Sequence, residues 1–275
     1  MRTNINIKNN TKVISEMLND SLFQVVEFES LRGAKNLKTA MGIKYMQDAG
    51  VSLKQVKIVL QESGVKLQAG ALSYMKGDIK IKNKLGGPVG IGKKLFASKV
   101  TGETVVKPTY AGTGEIYLEN SFGHYALLEL DDEEIVVDDG LFLACEDTVK
   151  VDITMMKSVS SMVLGGEGLF QLKLSGSGIV VLEMPVPETE IVRIKLFNDR
   201  LAVDGDLVVL RSGSVDFTVE KSGSTLIGSA INGEGLVNVY EGVGEVWLLP
   251  TRDVYDEIEE TVFFDKEAEE PTEKE

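Results

Sequence analysis

Apolar and polar residues alternate along most of this chain with the period of two that a half-buried β-strand shows. The alternation is clearest in three segments: QVKIVL (55–60), HYALLEL (124–130) and IVRIKLF (191–197). A short polar stretch follows each segment and precedes a second alternating run; the three stretches are Gln61–Gly64, Asp131–Glu134 and Asn198–Arg200. The pattern predicts an all-β fold in which each polar stretch is a turn between two strands.

A glycine-rich motif occurs three times with nearly constant spacing. Each copy opens on a Gly-Glu pair, and another glycine follows 11 or 12 residues later within an alternating run. The opening pairs are Gly102-Glu103, Gly166-Glu167 and Gly233-Glu234, and the later glycines are Gly114, Gly178 and Gly244. Glycine adopts positive φ without a clash at Cβ, so these glycines are predicted to be corners of a thrice-repeated β module.

The repeats divide the chain into five predicted segments. These are an N-terminal extension (1–50), repeat one (51–120), repeat two (121–186), repeat three (187–251) and an acidic tail (252–275). Leu37, Met41 and Tyr45 recur at i, i+4 and i+8, which predicts one short helix in the extension. From Asp253 onward the tail has 11 acidic residues against two lysines, and it is predicted to be disordered.

The net charge of −14 is concentrated at the C-terminal end, because residues 253–275 carry −9 and the first 252 residues carry −5. Aromatic residues make up 7% of the chain. Nucleic-acid binding requires basic stripes and stacking aromatics, so a mildly acidic body gives no strong nucleic-acid signal.

Further features of the sequence predict a cytoplasmic protein. No apolar run reaches the roughly 18 to 20 residues that span a bilayer, so no transmembrane segment is expected. The start, MRTNINIKNNTK, lacks the apolar core of a secretory signal. Cys145 is the only cysteine, which excludes an intramolecular disulfide, and its strand-like context predicts a buried, inert thiol.

Two groups of charged residues are candidate interaction sites. Alternation in IKIKNK places Lys80, Lys82 and Lys84 on one strand face, which could contact lipid headgroups or the acidic turn of a neighbouring subunit. The repeat places its three glutamates at equivalent positions: Glu103, Glu167 and Glu234. They either converge on a cation or a basic partner, or each bonds to amides in its own corner, and the second interpretation is preferred.

The segment GPVGIGKK (87–94) has the glycine and lysine spacing of a phosphate-binding loop. Lys94, however, stands where a serine or threonine should bind magnesium, and both flanks are strand-like. We interpret this segment as a connection between strands. No catalytic, cofactor-binding or metal-binding residue is predicted, and the chain is not expected to be an enzyme.

Three stretches resemble a known family: EIVVDDGLFLA, GGEGLFQLKLSGSGIVVLE and NGEGLVNVYEGVGEVWLLPT. They are similar to the altered-inheritance-of-mitochondria family, member twenty-four, and the similarity covers about Val56 to Thr251. Repeat one departs from the glycine-rich form, because Thr104 replaces the second glycine of Gly-Glu-Gly. The resemblance implies three units similar to the trp RNA-binding attenuation protein, packed as a pseudo-trimer. It carries over no catalytic motif.

The preferred functional hypothesis is a non-catalytic scaffold or assembly protein, associated with a membrane or a larger complex. A protein partner or self-association through sheet edges or apolar faces is expected, and peripheral membrane contact is compatible with the lysine face. A small-ligand-binding sensor with a site between modules is the alternative. A nucleic-acid-binding module is suggested only by the implied fold, and fold alone does not determine function.

Overall fold

Thirteen β-strands and two α-helices make up most of the part of the chain that the structure describes. The structure is a computed structural model, and it describes residues 2–3, 10–82, 107–138, 140–155, 170–221 and 236–264. The strand pairs in these ranges are antiparallel. The prediction of a mainly β chain with a short N-terminal helix is therefore confirmed.

The chain divides into two compact units, Met1–Met184 and Pro185–Glu275. This division falls two residues before the predicted boundary at 186. The finer division of the chain into an extension, three repeats and a tail stays a prediction.

The first unit contains β1 to β9 and helix α1. Their bounds are β1 (Thr11–Leu18), β2 (Ser21–Phe28), α1 (Leu37–Asp48), β3 (Lys54–Leu67), β4 (Leu72–Lys82), β5 (Thr109–Leu118), β6 (His124–Asp138), β7 (Phe142–Glu146), β8 (Lys150–Met155) and β9 (Phe170–Met184). Strand β3 pairs with β5 along one edge and with β2 and β7 along the other. Strand β9 pairs with β6 along one edge and with β7 and β8 along the other.

The second unit contains four strands, a 3-10 turn and helix α2. Their bounds are the 3-10 turn (Glu188–Glu190), β10 (Val192–Val203), β11 (Val208–Ser212), β12 (Val215–Lys221), β13 (Leu236–Leu248) and α2 (Arg252–Phe264). Strand β13 is central, because it pairs with β10 along one edge and with β11 and β12 along the other.

The same strand arrangement is therefore found around β5, β9 and β13. Each has one long strand along one edge, which is β3, β6 or β10. Along the other edge lies either one strand, β4, or two short strands in succession, β7 with β8 and β11 with β12.

The predicted polar turns are bulges inside these long strands. The register of β3, β6 and β10 shifts by a residue at the polar stretch, and each strand then continues along the same partner. One residue at each shift has positive φ: Glu62 at 57°, Asp132 at 54° and Asn198 at 62°. The expectation of a turn was wrong, because one extra residue in a left-handed conformation is accommodated as a bulge without ending the strand.

Side chains stabilise the bulges by accepting hydrogen bonds from backbone amides. The amide of Glu62 donates to Thr113 Oγ1 at 3.1 Å, and the amide of Asp132 donates to Ser177 Oγ at 2.9 Å. In β10 the amide of Phe197 donates to Asp199 Oδ1 at 3.1 Å. Each of these backbone amides thus has a side-chain acceptor nearby in place of a carbonyl on the neighbouring strand. The free-energy cost of an unpaired amide is thereby avoided.

Each unit has its own apolar core. The first is formed by alternate residues of β2, β3, β5, β7 and β9: Phe23, Val56, Ile58, Leu60, Val65, Leu67, Tyr110, Ile116, Leu118, Ala144, Ile179 and Val181. The second is formed by Leu196, Val203, Val208, Val215, Tyr240, Val246 and Leu248. Each fully buried aliphatic side chain contributes about 1.5 to 3 kcal/mol to folding, so these residues account for much of the stability.

Strands β1 and β2 occupy much of the predicted extension, where only a helix was expected. Phe23 and Val25 in β2 are buried, and β2 pairs with β3 from Ser21↔Leu60 to Glu27↔Lys54. The extension therefore contributes a strand to the core of the first unit.

The predicted disorder of the tail was wrong for residues 252–264, which form helix α2. Tyr255 Oη donates to Glu190 at 2.9 Å, and Thr251 Oγ1 donates to the same carboxylate at 2.5 Å. These bonds attach the first turn of α2 to the 3-10 turn. Val254 and Ile258 lie one turn apart on the same side of the helix. The prediction of disorder was based on the charge of the tail and did not take this helical spacing of apolar residues into account. Residues 265–275 lie outside the described part.

Candidate functional site

An open groove of about 780 Å³ lies beside the bulge of β3, and we call it the bulge groove. The turn before β2, the bulge, strands β4 and β5, and the turn after β7 all contribute to its wall. Its charged lining residues are Asp20, Glu62, Asp78, Lys80, Lys82 and Asp147. The groove thus brings both signs of charge together in one open concavity.

Two of the three predicted interaction lysines line this groove. Lys80 lies opposite Ala111 and Lys82 opposite Thr109 on β5, so both project from one face of β4, and both are exposed. Lys84 lies outside the described residues, as do Glu103, Glu167 and Glu234. The alternation that places Lys80 and Lys82 on one face also places Asp78 there.

A buried carboxylate lies in strand β7, immediately before the groove residue Asp147. Glu146 is 1% exposed, and it accepts hydrogen bonds from the Ser21 amide at 2.8 Å, Asn19 Nδ2 at 2.9 Å and the Ile179 amide at 3.0 Å. These three donors satisfy the carboxylate and join the β1–β2 turn to β7 and β9. Glu146 was not predicted from the sequence, because an isolated glutamate at a strand end gives no signal of burial.

Cys145 is fully buried next to Glu146 in β7. Burial raises the pKa of its thiol to about 12. A thiolate is the reactive form of cysteine, so this side chain is protonated at neutral pH and functions as a small apolar core residue.

An ion pair and two aromatic rings lie on the face of β3, β4 and β5 that carries Lys80. Lys57 Nζ lies 2.7 Å from Glu115 Oε1 and 5.6 Å from the ring centroid of Tyr117, which stacks on Tyr74 at 4.4 Å. The hydrogen bond from Lys57 lowers the pKa of Glu115. Burial, the largest single influence on Lys57, lowers its pKa, but the hydrogen bonds to and charges of Glu115 and Tyr117 together outweigh burial, so the pKa of Lys57 is raised.

The second unit has the same combination of groups at the corresponding strand positions. Arg193 in β10 forms an ion pair with Glu245, and its guanidinium lies 5.1 Å from the ring centroid of Trp247. Trp247 Nε1 donates to Glu245 Oε1 at 2.5 Å. The hydrogen bond from Arg193 lowers the pKa of Glu245.

The matching positions of β6 and β9 are apolar. They are Leu127, Ile179 and Val181, and they pack in or against the core of the first unit. Where these three positions are accessible to solvent, they hold a cation, an aromatic ring and a carboxylate. Where they are buried, they hold aliphatic side chains.

An exposed apolar pair lies at the bulge of β10. Phe197 and Val243 face each other across β10 and β13, and they are 74% and 50% exposed. The matching residues beside the other bulges are polar: Gln61 with Thr113, and Asp131 with Ser177. This pair was not predicted from the sequence, although the apolar residues stand out when the three polar stretches are aligned.

Three of the six predicted corner glycines lie in the described part, each opposite a long strand. Gly114, Gly178 and Gly244 have φ of 156°, 143° and 155° inside β5, β9 and β13. Gly102, Gly166 and Gly233 lie outside it.

The described residues contain no group of three or more His, Cys, Asp or Glu side chains that could bind a metal ion. None of their helices has the length and apolar character needed to cross a bilayer.

The chain is similar to known proteins in both sequence and fold. The chain is 26% identical over 215 residues to an uncharacterized protein of Streptococcus pyogenes serotype M6, covering 75% of this chain and 85% of that protein. A crystal structure of a Streptococcus pyogenes protein has a similar fold, with a TM-score of 0.54 and 22% identity over 77% of this chain and 94% of that one. The family described as mitochondrial biogenesis AIM24 matches residues 46–251, most of the chain. The chain therefore belongs to the AIM24 family.

Proposed function

We propose that the protein is a non-catalytic assembly protein built from three β modules packed as a pseudo-trimer, similar to units of the trp RNA-binding attenuation protein. The similar spacing of the bulges supports the three modules. Glu62, Asp132 and Asn198 have positive φ at intervals of 70 and 66 residues, and the strands that contain them begin at intervals of 70 and 68 residues. Equivalent strands surround β5, β9 and β13.

The exposed pair Phe197–Val243 carries the assembly proposal. A phenylalanine that is 74% exposed beside a valine that is 50% exposed leaves apolar surface in water. Aromatic residues are enriched at the centres of protein interfaces, where they contribute most of the binding free energy. A pair of this kind on a sheet face is therefore suited to contact another protein.

A second copy of this chain is the partner that the surrounding charges favour. Arg200 lies 2.9 Å from Glu220 and 3.2 Å from Glu241, so the rim of the apolar pair contains both signs of charge. In a two-fold contact, the same patch of both copies meets, and a rim of mixed sign allows opposite charges to face each other. A rim of one sign would repel itself.

The non-catalytic part of the proposal is supported by the surroundings of two nucleophilic side chains, Cys145 and Ser63. Cys145 is buried, and Ser63 Oγ lies 2.8 Å from Ser21 Oγ in a hydrogen bond. A cytoplasmic location remains part of the proposal and follows from the sequence alone.

Sedimentation velocity over a range of protein concentrations tests the assembly. We expect the chain to self-associate, and Phe197→Gln combined with Val243→Gln to weaken association by about 10-fold or more, as loss of an interface centre does. Leu18→Gln is the matched control, because Leu18 is an exposed apolar strand residue on β1. A chain that stays monomeric, or an oligomer that the double variant leaves intact, contradicts the proposal.

A small-ligand sensor is the second candidate, and the bulge groove is the observation that favours it. Its two lysines and four carboxylates suit a polar ligand with both charges, such as an amino acid. Thermal denaturation with a set of such compounds tests this function. A rise in Tm that Lys80→Gln with Lys82→Gln abolishes supports the sensor, whereas no rise with any compound counts against it.

A further inference from the structure

Helix α1 has its most apolar stripe on the outside. Leu37, Met41 and Tyr45 are 76%, 46% and 66% exposed, and at i, i+4 and i+8 they cover an arc of about 80°. These are the residues whose spacing predicts the helix, and such a stripe ordinarily faces a core. In this protein it faces away from the core of the first unit.

The opposite side of the helix attaches it to the first unit. Ile43 and Met46 are half-buried and, with Phe28, Leu53 and Phe122, line a small cavity of about 40 Å³. Asn36 Oδ1 accepts a hydrogen bond from the Thr39 amide at 2.9 Å, which caps the first turn. The helix is thus fixed by one side, and this orientation presents the Leu37–Met41–Tyr45 stripe to the surroundings.

The charge around the stripe is basic, although the protein as a whole is acidic. Lys38 and Lys44 lie about 60° to either side of the centre of the stripe. Residues 29–50 contain four basic side chains, Arg32, Lys35, Lys38 and Lys44, against two acidic side chains, Glu29 and Asp48. Asp48 pairs with Lys44 at 2.5 Å, but both side chains are exposed, so this pair contributes little.

We propose that α1 is a membrane-contact helix that lies in the headgroup region of a bilayer containing anionic lipids. An apolar stripe flanked by lysines matches such a surface, where apolar side chains enter by about 5 to 10 Å and lysines contact lipid phosphates. A second copy fits less well, because a two-fold contact would bring the lysines of both helices together. At physiological salt, the repulsion between the acidic remainder of the chain and an anionic bilayer is screened at distances beyond about 8 Å. This proposal is independent of the assembly through Phe197.

Flotation of the full chain with lipid vesicles tests the proposal. We expect binding to phosphatidylcholine vesicles containing about one third phosphatidylserine, weak binding to phosphatidylcholine alone, and loss of binding at high salt. Replacing Lys38 and Lys44 with glutamine should weaken binding about 30-fold, since each lysine near an anionic surface contributes about fivefold. Replacing Leu37, Met41 and Tyr45 with glutamine should remove binding without unfolding the protein, because these side chains are exposed.

Two variants serve as controls of matched chemistry. Lys150→Gln with Lys195→Gln removes two exposed lysines from β8 and β10, and Val13→Gln with Ile14→Gln removes two exposed apolar residues from β1. Both should bind vesicles like the parent chain.

Three outcomes would overturn the proposal. These are equal binding to neutral and anionic vesicles, binding that the α1 variants leave unchanged, and a change of sedimentation in the α1 variants that shows the stripe to be a contact between copies. The assembly proposal is tested separately, because Phe197→Gln should leave vesicle binding unchanged.

Discussion

Gly178 lies so close to the buried carboxylate of Glu146 that a Cβ atom added to it would stand 2.9 Å from Oε2. Its φ of +143° is also one that side chains with a Cβ rarely adopt. Gly178→Val should therefore lower the free energy of unfolding by about 1 kcal/mol or more, measured by urea denaturation. Gly33→Val is the control, because nothing lies within 4 Å of its added Cβ. Equal stability of the two variants would contradict the expected strain.

Replacing Glu146 with glutamine tests the three hydrogen bonds that the carboxylate accepts. The amide group of glutamine turns one acceptor into a donor, which then faces the amide of Ser21 or of Ile179. We expect a loss of about 1 to 3 kcal/mol in unfolding free energy, the cost of leaving a buried donor unsatisfied. Hydrogen exchange should accelerate at Ser21 and Asn19 before it does in β13. Unchanged exchange there would mean that Glu146 does not fix the β1–β2 turn.

The ion pair between Lys57 and Glu115 predicts a dependence of stability on pH. Because the pKa of Glu115 is lowered in the folded state, the pair stabilises the fold above the unfolded-state pKa of glutamate, about 4.3. This stabilisation is lost as the pH falls through the lower folded-state pKa. Lys57→Met should reduce the slope of stability against pH between roughly pH 5 and 3, measured by urea denaturation. An unchanged slope would show that other carboxylates control acid denaturation.

The bulge groove predicts weak binding of RNA. Lys80 and Lys82 are accompanied there by four carboxylates, which oppose the release of counterions from phosphates. We expect no affinity for random single-stranded RNA tighter than the non-specific range of about 10⁻⁴ to 10⁻⁶ M at physiological salt, measured by gel shift. A nanomolar complex that is lost when Lys80, Lys82 and Lys84 are replaced by alanine would reverse this expectation.

Deletion of residues 256–275 should leave the β-structure intact. The deletion keeps Tyr255 and its bonds to Glu190, and the side chain of Ile258, which it removes, is exposed. The unfolding midpoint in urea should match that of the full chain. A large decrease of the midpoint would mean that α2 packs more firmly than its exposed side chains indicate.

The period of two in the sequence predicted β3, β6 and β10, but it did not predict β1 or β2, or the structure between neighbouring alternating runs. Gln61–Gly64 has the composition of a turn, and the structure continues β3 through it because β5 remains available as a partner on both sides of Glu62. Whether a polar stretch is a turn or a bulge depends on that distant partner.

The helix pattern shows the same limit. Leu37, Met41 and Tyr45 correctly predict the position of α1, but only the packing of Ile43 and Met46 shows which side of the helix faces the core. In the bulge groove, alternation places Lys80 and Lys82 on one face. Asp20 and Asp147 join them from turns about 60 residues away in either direction, and no local pattern could predict that.

The bond from the Ser21 amide to Glu146 spans 125 residues of chain and has a consequence for synthesis on the ribosome. At about 5 to 20 residues per second, β2 waits roughly 6 to 25 s before its acceptor is translated. Phe23 and Val25 of β2 are buried in the folded protein. During that time the hydrogen bond between Ser21 and Glu146 cannot yet hold their strand in place. The newly made N-terminal hairpin can pair with β3 early, but it is joined to β7 only after most of the first unit has been translated, and contacts over such separations also slow folding after release.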